Sequence, residues 1–278
     1  MTPKLKYVPS LVILMISSLA CSDFSDQIES PINATAFPER ESLIPFDAVK
    51  MRPESDPLPP ILHSNEFEAP IPLPYPVNTR GLEDSAFIMP DGQTLYVWFT
   101  PNNRMDVVEQ SQDQVTGIYE FKLQDGDWGS PQRVWLADPS EPHLDGCGFF
   151  TTDQIWFCSA RRGYEGMQWF SASNENGMWS EPRFVDFDPS DEVGELHFSE
   201  DGNWLYFHSE RPGGEGGLDI WLMKKEADIW REPENLTGVN SPSDEGWPAL
   251  NPQQDELWIS KDYGIWRSKK IDGEWQTP

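Results

Sequence analysis

Groups able to do chemistry recur at four places in this chain. They are Glu83 and Asp84; His143 and Asp145; Asp191, Glu192 and Glu195; and Asp244 and Glu245, with Trp247 close behind. Carboxylates gathered around one mouth could bind Ca²⁺ or an amine, or supply the acid and base of a glycosidase pair. The same acids could instead cap turns and tie neighbouring elements together, and both readings stand. Arg161 and Arg211 would either hold anionic groups or pair with those carboxylates. Gly213, Gly214, Gly216 and Gly217 look like a phosphate cradle, but no Lys-Ser/Thr follows and the next run reads as a strand, so a turn fits better. There is no Gly-x-Ser-x-Gly, and the chain has only four His, His63, His143, His197 and His208. No catalytic residue and no metal ligand set is therefore assigned, and the only cofactor the pattern admits is Ca²⁺.

Each of these groups stands just before the first of a set of short apolar runs. The clearest set lies between Ser190 and Pro233, with runs at 196–199, 204–207, 218–223 and 229–233 separated by turn residues. The set recurs. Trp-x-x-Pro appears at Trp128, Trp179, Trp230 and Trp275, spaced 51, 51 and 45 residues apart. Asp125-Gly126, Asn176-Gly177, Ala227-Asp228 and Asp272-Gly273 precede them, pairs that suit two-residue hairpins. Upstream come Gly117-Ile118-Tyr119, Met167-Gln168-Trp169, Asp219-Ile220-Trp221 and Gly264-Ile265-Trp266, and before those Leu95-Tyr96-Val97, Ile155-Trp156-Phe157, Leu205-Tyr206-Phe207 and Leu257-Trp258-Ile259. Four strand types, repeated four times in one order, predict an all-β propeller of four-stranded antiparallel blades. The second strand is apolar throughout, as a strand covered on both faces must be; the fourth carries a Pro and belongs on an edge.

The stretch SEDGNWLYFHSERPGGEGGLDIW, Ser199 to Trp221, followed by SPSDEGWPALNP, resembles the TolB-like β-propeller repeat, as does MPDGQTLY from Met89 to Tyr96. The match is looser from Thr151 to Trp169 and partial from Asn251 to Trp266, where Gln253-Gln254 replaces Asp-Gly. The resemblance covers roughly residues 83–278 and implies the fold. Proteins with this repeat serve binding, scaffolding and, in some relatives, catalysis, so it does not settle function.

Residues 1–20 have two lysines and then a short apolar core, which reads as a signal peptide and is far shorter than the roughly 18 residues of a membrane span. Leu19-Ala20-Cys21 resembles a bacterial lipobox, with Ser18 departing from the usual aliphatic residue; the resemblance implies lipid on Cys21 and, with Ser22 next, sorting to the outer membrane, facing periplasm or cell surface. Residues 21–62, rich in Pro, Ser and acids, read as a flexible tether, and 63–278 as the propeller. Phe67 to Leu73 mimics an outer strand, and Val77-Asn78-Thr79 leads into Glu83 as Val239-Asn240-Ser241 leads into Glu245. The surplus outer strand leaves three counts open, four blades closing with a redundant strand, a fifth blade made from segments such as residues 61–73, or a sequence lacking its last blade, and a ring of about five blades is favoured.

With Cys21 set aside, Cys147 and Cys158 flank a hairpin whose symmetric pairing would place them face to face, predicting a disulfide. A formal charge of −27 repels phosphate backbones, which argues against nucleic-acid partners. The functional expectation is a cell-envelope lipoprotein whose propeller binds or scaffolds protein, peptidoglycan or glycan, touching the membrane only through its lipid. The alternative is a propeller-type glycosidase or lyase working with the mouth carboxylates.

Overall fold

The structure, a computed structural model, describes residues 37–278. Four antiparallel sheets follow one another along the chain, each a blade. Blade 1 holds β1 (Leu82–Ile88), β2 (Thr94–Thr100), β3 (Gly117–Gln124), β4 (Asp127–Trp128) and β5 (Gln132–Arg133), with a short helix α1 (Val107–Gln112) between β2 and β3. Blade 2 holds β6 (His143–Phe150), β7 (Gln154–Arg161), β8 (Gln168–Glu175), β9 (Met178–Trp179) and β10 (Arg183–Phe184). Blade 3 holds β11 (Leu196–Phe198), β12 (Trp204–Ser209), β13 (Asp219–Glu226), β14 (Ile229–Trp230) and β15 (Glu234–Asn235). Blade 4 holds β16 (Glu245–Leu250), β17 (Glu256–Lys261), β18 (Gly264–Ile271) and β19 (Glu274–Trp275). The four repeats thus become a four-bladed propeller.

Local chemistry explains the blade. All four hairpins before the outer strand turn through two residues of positive φ, Asp125-Gly126, Asn176-Gly177, Ala227-Asp228 and Asp272-Gly273. That is the primed turn whose twist matches the strands. Ala227-Asp228 adopts it without a glycine, against a steric cost. In blades 1 and 3 the second strands are the most covered, β12 being buried at every residue after Trp204. The short strands β5, β10 and β15, which pair with the outer edge of the third strand of their blades, escaped the sequence reading because two residues carry no period.

The faces of successive blades bury one another. Tyr96 and Ile118 meet Phe150, Ile155, Phe157 and Phe170 between blades 1 and 2. Trp156 and Trp169 meet Leu205, Phe207, Trp221 and Trp230 between blades 2 and 3. Tyr206 and Ile220 meet Leu257, Ile259 and Trp275 between blades 3 and 4. Truncating a fully buried ring such as Phe207 would cost about 3–5 kcal/mol. Pairing corrects one alignment: Phe157 opposes Phe170 as Phe207 opposes Trp221, so Phe170, not Trp169, is the counterpart of Trp221. The span from Phe157 to Phe170 is one residue shorter than that from Phe207 to Trp221, which shifts the alignment by one.

The preceding face of blade 1 is covered by residues upstream of the blades. Ile44 and Val77 pack on Val97, Phe99 and Phe121, and Arg40, 7% exposed, lies over the Phe99 ring at 4.2 Å. Part of the stretch read as tether therefore packs as core. Farther on, Phe67 meets Trp258 on the outer face of blade 4 edge to face at 5.5 Å, and Glu66 binds Arg267 at 2.9 Å. Tyr206 and Trp275 meet in the same way one blade earlier, at 6.2 Å. Phe67 thus fills the place of an outer-strand Trp, as its sequence context suggested, but residues 61–73 form no strand, so no fifth blade is built from them. The signal peptide and Cys21 lie outside the described residues, and among the described residues no helix is long and apolar enough to cross a membrane.

Candidate functional site

The first strands of the blades approach one another, and three of them break register at the same point. β1, β6 and β16 each carry a bulge, with Ser85, Cys147 and Trp247 at φ 48°, 49° and 52°. Such bulges re-aim side chains. In blade 3 Glu195 takes this place, two residues before His197 as Cys147 is two before Phe149.

The re-aimed groups meet across blades. Glu195 Oε2 lies 2.9 Å from His208 Nε2, and Glu195 Oε1 accepts from Cys147 Sγ at 3.2 Å. His208 Nδ1 accepts the backbone N–H of Trp247 at 3.0 Å, which leaves the neutral ring's proton on Nε2 to donate to Glu195. The Trp247 ring, 42% exposed, stands edge-on over His208. His197 is wedged against Phe149 and Phe87 at 4.8 and 6.4 Å, and burial pushes its imidazole down to about 4. The two carboxyls of the cluster are driven apart. Burial raises Asp84, the Ser85 backbone N–H opposes this, and the Glu195 charge raises it further. Burial also pushes Glu195 upward, but hydrogen bonds from His208 and Cys147 outweigh it and hold Glu195 below the usual carboxylate range. Two neighbouring carboxyls whose pKa values are pushed in opposite directions form the electrostatic pattern of acid–base sites.

Around this cluster each blade locks one acid to one cation. Glu83 pairs with Arg40 at 3.1 Å, Asp145 with Arg161 at 2.7 Å, Asp188 with Arg211 at 2.6 Å and Glu245 with Lys261 at 2.9 Å. The guanidiniums also lie over the blades' aromatic rings, Arg161 over Phe170 and Arg211 over Phe207. Glu83 accepts from Thr79 N and Oγ1 as Glu245 accepts from Ser241 N and Oγ. That is the structural content of the matching Val-Asn-Thr and Val-Asn-Ser lead-ins.

Of the residues singled out from sequence, Asp84, Glu195 and Trp247 come together at the first strands. Glu83, Asp145, Arg161, Arg211 and Glu245 serve the blade ion pairs. His143 is buried, its Nδ1 donating to the Glu141 carbonyl at 2.7 Å with Nε2 3.6 Å from Asp145. Asp191, Glu192 and Asp244 are exposed, and Asp244 accepts the Leu218 N–H. Cys147 and Cys158, for which a disulfide is expected, are both free thiols here, in contact through a side-chain hydrogen bond. The bulge sets Cys158 opposite Gly146 and leaves the Cys147 thiol between Cys158 and Glu195, hydrogen-bonded to both. Sequence reasoning missed His197, His208 and the true position of Cys147. Aligning Ser85, Cys147, Glu195 and Trp247 two residues before Phe87, Phe149, His197 and Ala249 would have found them. Among the described residues no group of three or more His, Cys, Asp or Glu is placed to hold a metal ion.

No family model matches the chain, and no curated protein does. Among solved structures it is similar to TolB from Acinetobacter baumannii (13% identity, TM-score 0.43, covering 69% of this chain and 41% of that one). It is similar also to a puromycin hydrolase (14%, TM-score 0.39, 73% and 32%) and to a protein of unknown function from Dyadobacter fermentans (13%, TM-score 0.42, 69% and 66%). The chain thus spans less than half the length of the first two. The propeller assignment rests on its own four sheets.

Proposed function

We propose that this chain is a binding or scaffolding module of the cell envelope, tethered through lipid on Cys21, with the cluster at its first strands as the contact surface for a protein, peptidoglycan or glycan. One observation carries the reading: most acids near the first strands already serve backbone N–H groups and blade cations, while Glu195 keeps its side chain 23% exposed beside the projecting Trp247 ring. An aromatic platform next to a hydrogen-bonded carboxylate suits a sugar or a peptide amine. The test is a pull-down from solubilised envelope with the full chain, alongside binding to a polysaccharide panel. A partner retained by the native chain and lost with Trp247→Ala or Glu195→Gln supports the reading; equal retention by all three overturns it. Mass spectrometry of the N-terminal peptide decides the lipid on Cys21 separately.

The opposed shifts of Asp84 and Glu195 favour a second reading, a carbohydrate-active enzyme with Asp84 as acid and Glu195 as base. Reducing ends released from the same panel, and abolished by Asp84→Asn, would select it.

A further inference from the structure

A ring at the end of the first strand closes two of the blade interfaces. Phe150 in blade 2 and Phe198 in blade 3 stand opposite Ile155 and Leu205 of their own second strands. Each reaches back to a ring on the second strand of the blade before. Phe150 stacks on Tyr96 with centroids 3.7 Å and planes 2° apart, and Phe198 meets Trp156 at 4.5 Å. Blade 4 keeps the register, with Leu250 opposite Leu257, but a leucine stands where the ring should be. Tyr206, the counterpart of Tyr96 and Trp156, is met instead by the edge of Trp275 at 6.2 Å. A second difference adds a ring on the facing side. Where the second strands of blades 1 and 2 begin with Thr94 and Gln154, that of blade 3 begins with Trp204, which is half-buried.

The result is an open cleft of about 450 Å³ between blades 3 and 4, at the end where first and second strands are joined. Trp204 and Tyr206 line it, with Glu200 and Asp201 from the β11–β12 turn, Gln254 from the β16–β17 turn and Lys270 from β18. Both walls are present, facing one another across the layer that holds Ile220, Leu257 and Ile259. The size falls within the roughly 300–1,000 Å³ of small-ligand sites. Asp201 is tied down by Ser199 and Asn203. Among the described residues the side chains of Glu200, Gln254 and Lys270 make no hydrogen bond or ion pair, the Lys270 ammonium resting 5.3 Å from the centre of the Trp275 ring. The Tyr206 hydroxyl accepts the Trp275 indole N–H, which leaves its own proton free to donate.

We propose that this cleft binds a saccharide, whose apolar ring face lies on Trp204 while its hydroxyls meet Glu200, Gln254, Lys270 and Tyr206. The lining selects the class. Carboxylates at the rim, in a chain of net charge −27, repel phosphates and other anions. Lys270 opposes a bare cation, and an open cleft with a polar rim gives a wholly apolar ligand no dry pocket. A neutral ligand with one apolar face, and with donors and acceptors along its edge, meets every group present. The cleft lies at the opposite end of the blades from Glu195, His208 and Trp247, so it does not depend on the function proposed for them.

The full chain is titrated with tetrasaccharides of β-linked glucose and of β-linked N-acetylglucosamine, followed by calorimetry and by indole N–H chemical shifts. One-to-one saturation by at least one of them is expected, with the Trp204 indole signal moving. Binding should weaken at least tenfold in Trp204→Thr, which writes the blade 1 residue into blade 3, and in Leu250→Phe, which restores the ring that closes the other interfaces. Both variants copy residues that the repeat already accepts, and an unchanged far-UV spectrum and Tm verify their fold. No saturation by either sugar at millimolar concentration overturns the proposal, as does binding that both variants leave intact. Binding lost in Trp247→Ala but kept in Trp204→Thr assigns the sugar to the cluster at the first strands and overturns this site alone.

Discussion

Replacing Arg40 by Ala tests whether residues upstream of the first blade are tether or part of the propeller. The guanidinium is buried, donates to the carbonyls of Pro76 and Val77 at 2.7 and 3.0 Å and to Glu83 Oε1 at 3.1 Å, and covers the Phe99 ring. Burial lowers its pKa and the Glu83 charge opposes this, but it stays charged at neutral pH. In blades 2 and 3 the same position is filled from within by Arg161 and Arg211. Removing one partner of a buried ion pair costs about 3–5 kcal/mol, because the other is left short of a counter-charge. Glu83 keeps two hydrogen bonds from Thr79, which favours the lower end. For a domain of this size that corresponds to roughly 6–20 °C in Tm. Urea unfolding of native and Arg40→Ala chains at pH 7 gives the difference directly. Glu83→Ala on the Arg40→Ala background should recover part of the loss, since it removes the orphaned charge. A loss below about 1 kcal/mol would refute the reasoning and leave residues 37–62 as a tether that merely rests on blade 1.

Three further outcomes follow from the same geometry. Unfolded His197 binds its proton near 6.5 and the native ring only near 4, so stability is fully present above pH 6.5 and falls by up to about 3 kcal/mol as pH drops toward 4; urea midpoints across that window should flatten in His197→Phe. In a Cys21→Ser chain purified without reductant, a disulfide reagent should find two thiols after unfolding and react slowly before it, because a hydrogen bond with Cys158 and burial raise the Cys147 thiol and burial raises that of Cys158; finding none would mean that the two are joined as the expected disulfide. Asp228→Gly should stabilise by about 1 kcal/mol, since Asp228 sits at φ 62° in a turn position glycine occupies freely, and an unchanged urea midpoint would deny that strain.

The repeat determined the fold. Turn pairs, apolar second strands and Trp-x-x-Pro are local signals with fixed spacing, and they specify hairpins whatever lies elsewhere, so four repeats were legible from residues alone, although the surplus outer strand pointed to about five blades where the structure has four. The match between Val77-Asn78-Thr79 and Val239-Asn240-Ser241 likewise foretold the hydrogen bonds of Glu83 and Glu245. Even the slip at Trp169 was readable: it stands seven residues before Asn176, where Tyr119 and Trp221 stand six before their turns. Only the tertiary structure decided which acids face cations and which face one another. A bulge inserts one residue without changing the apolar pattern, yet it lets the Cys147 thiol beside Cys158 reach Glu195 of the next blade and brings His208 and Trp247, 39 residues apart, to one hydrogen bond. The capping of blade 1 by Arg40 was hidden for the same reason. A buried arginine is written like an exposed one, and its burial depends on the distant aromatic face that it covers.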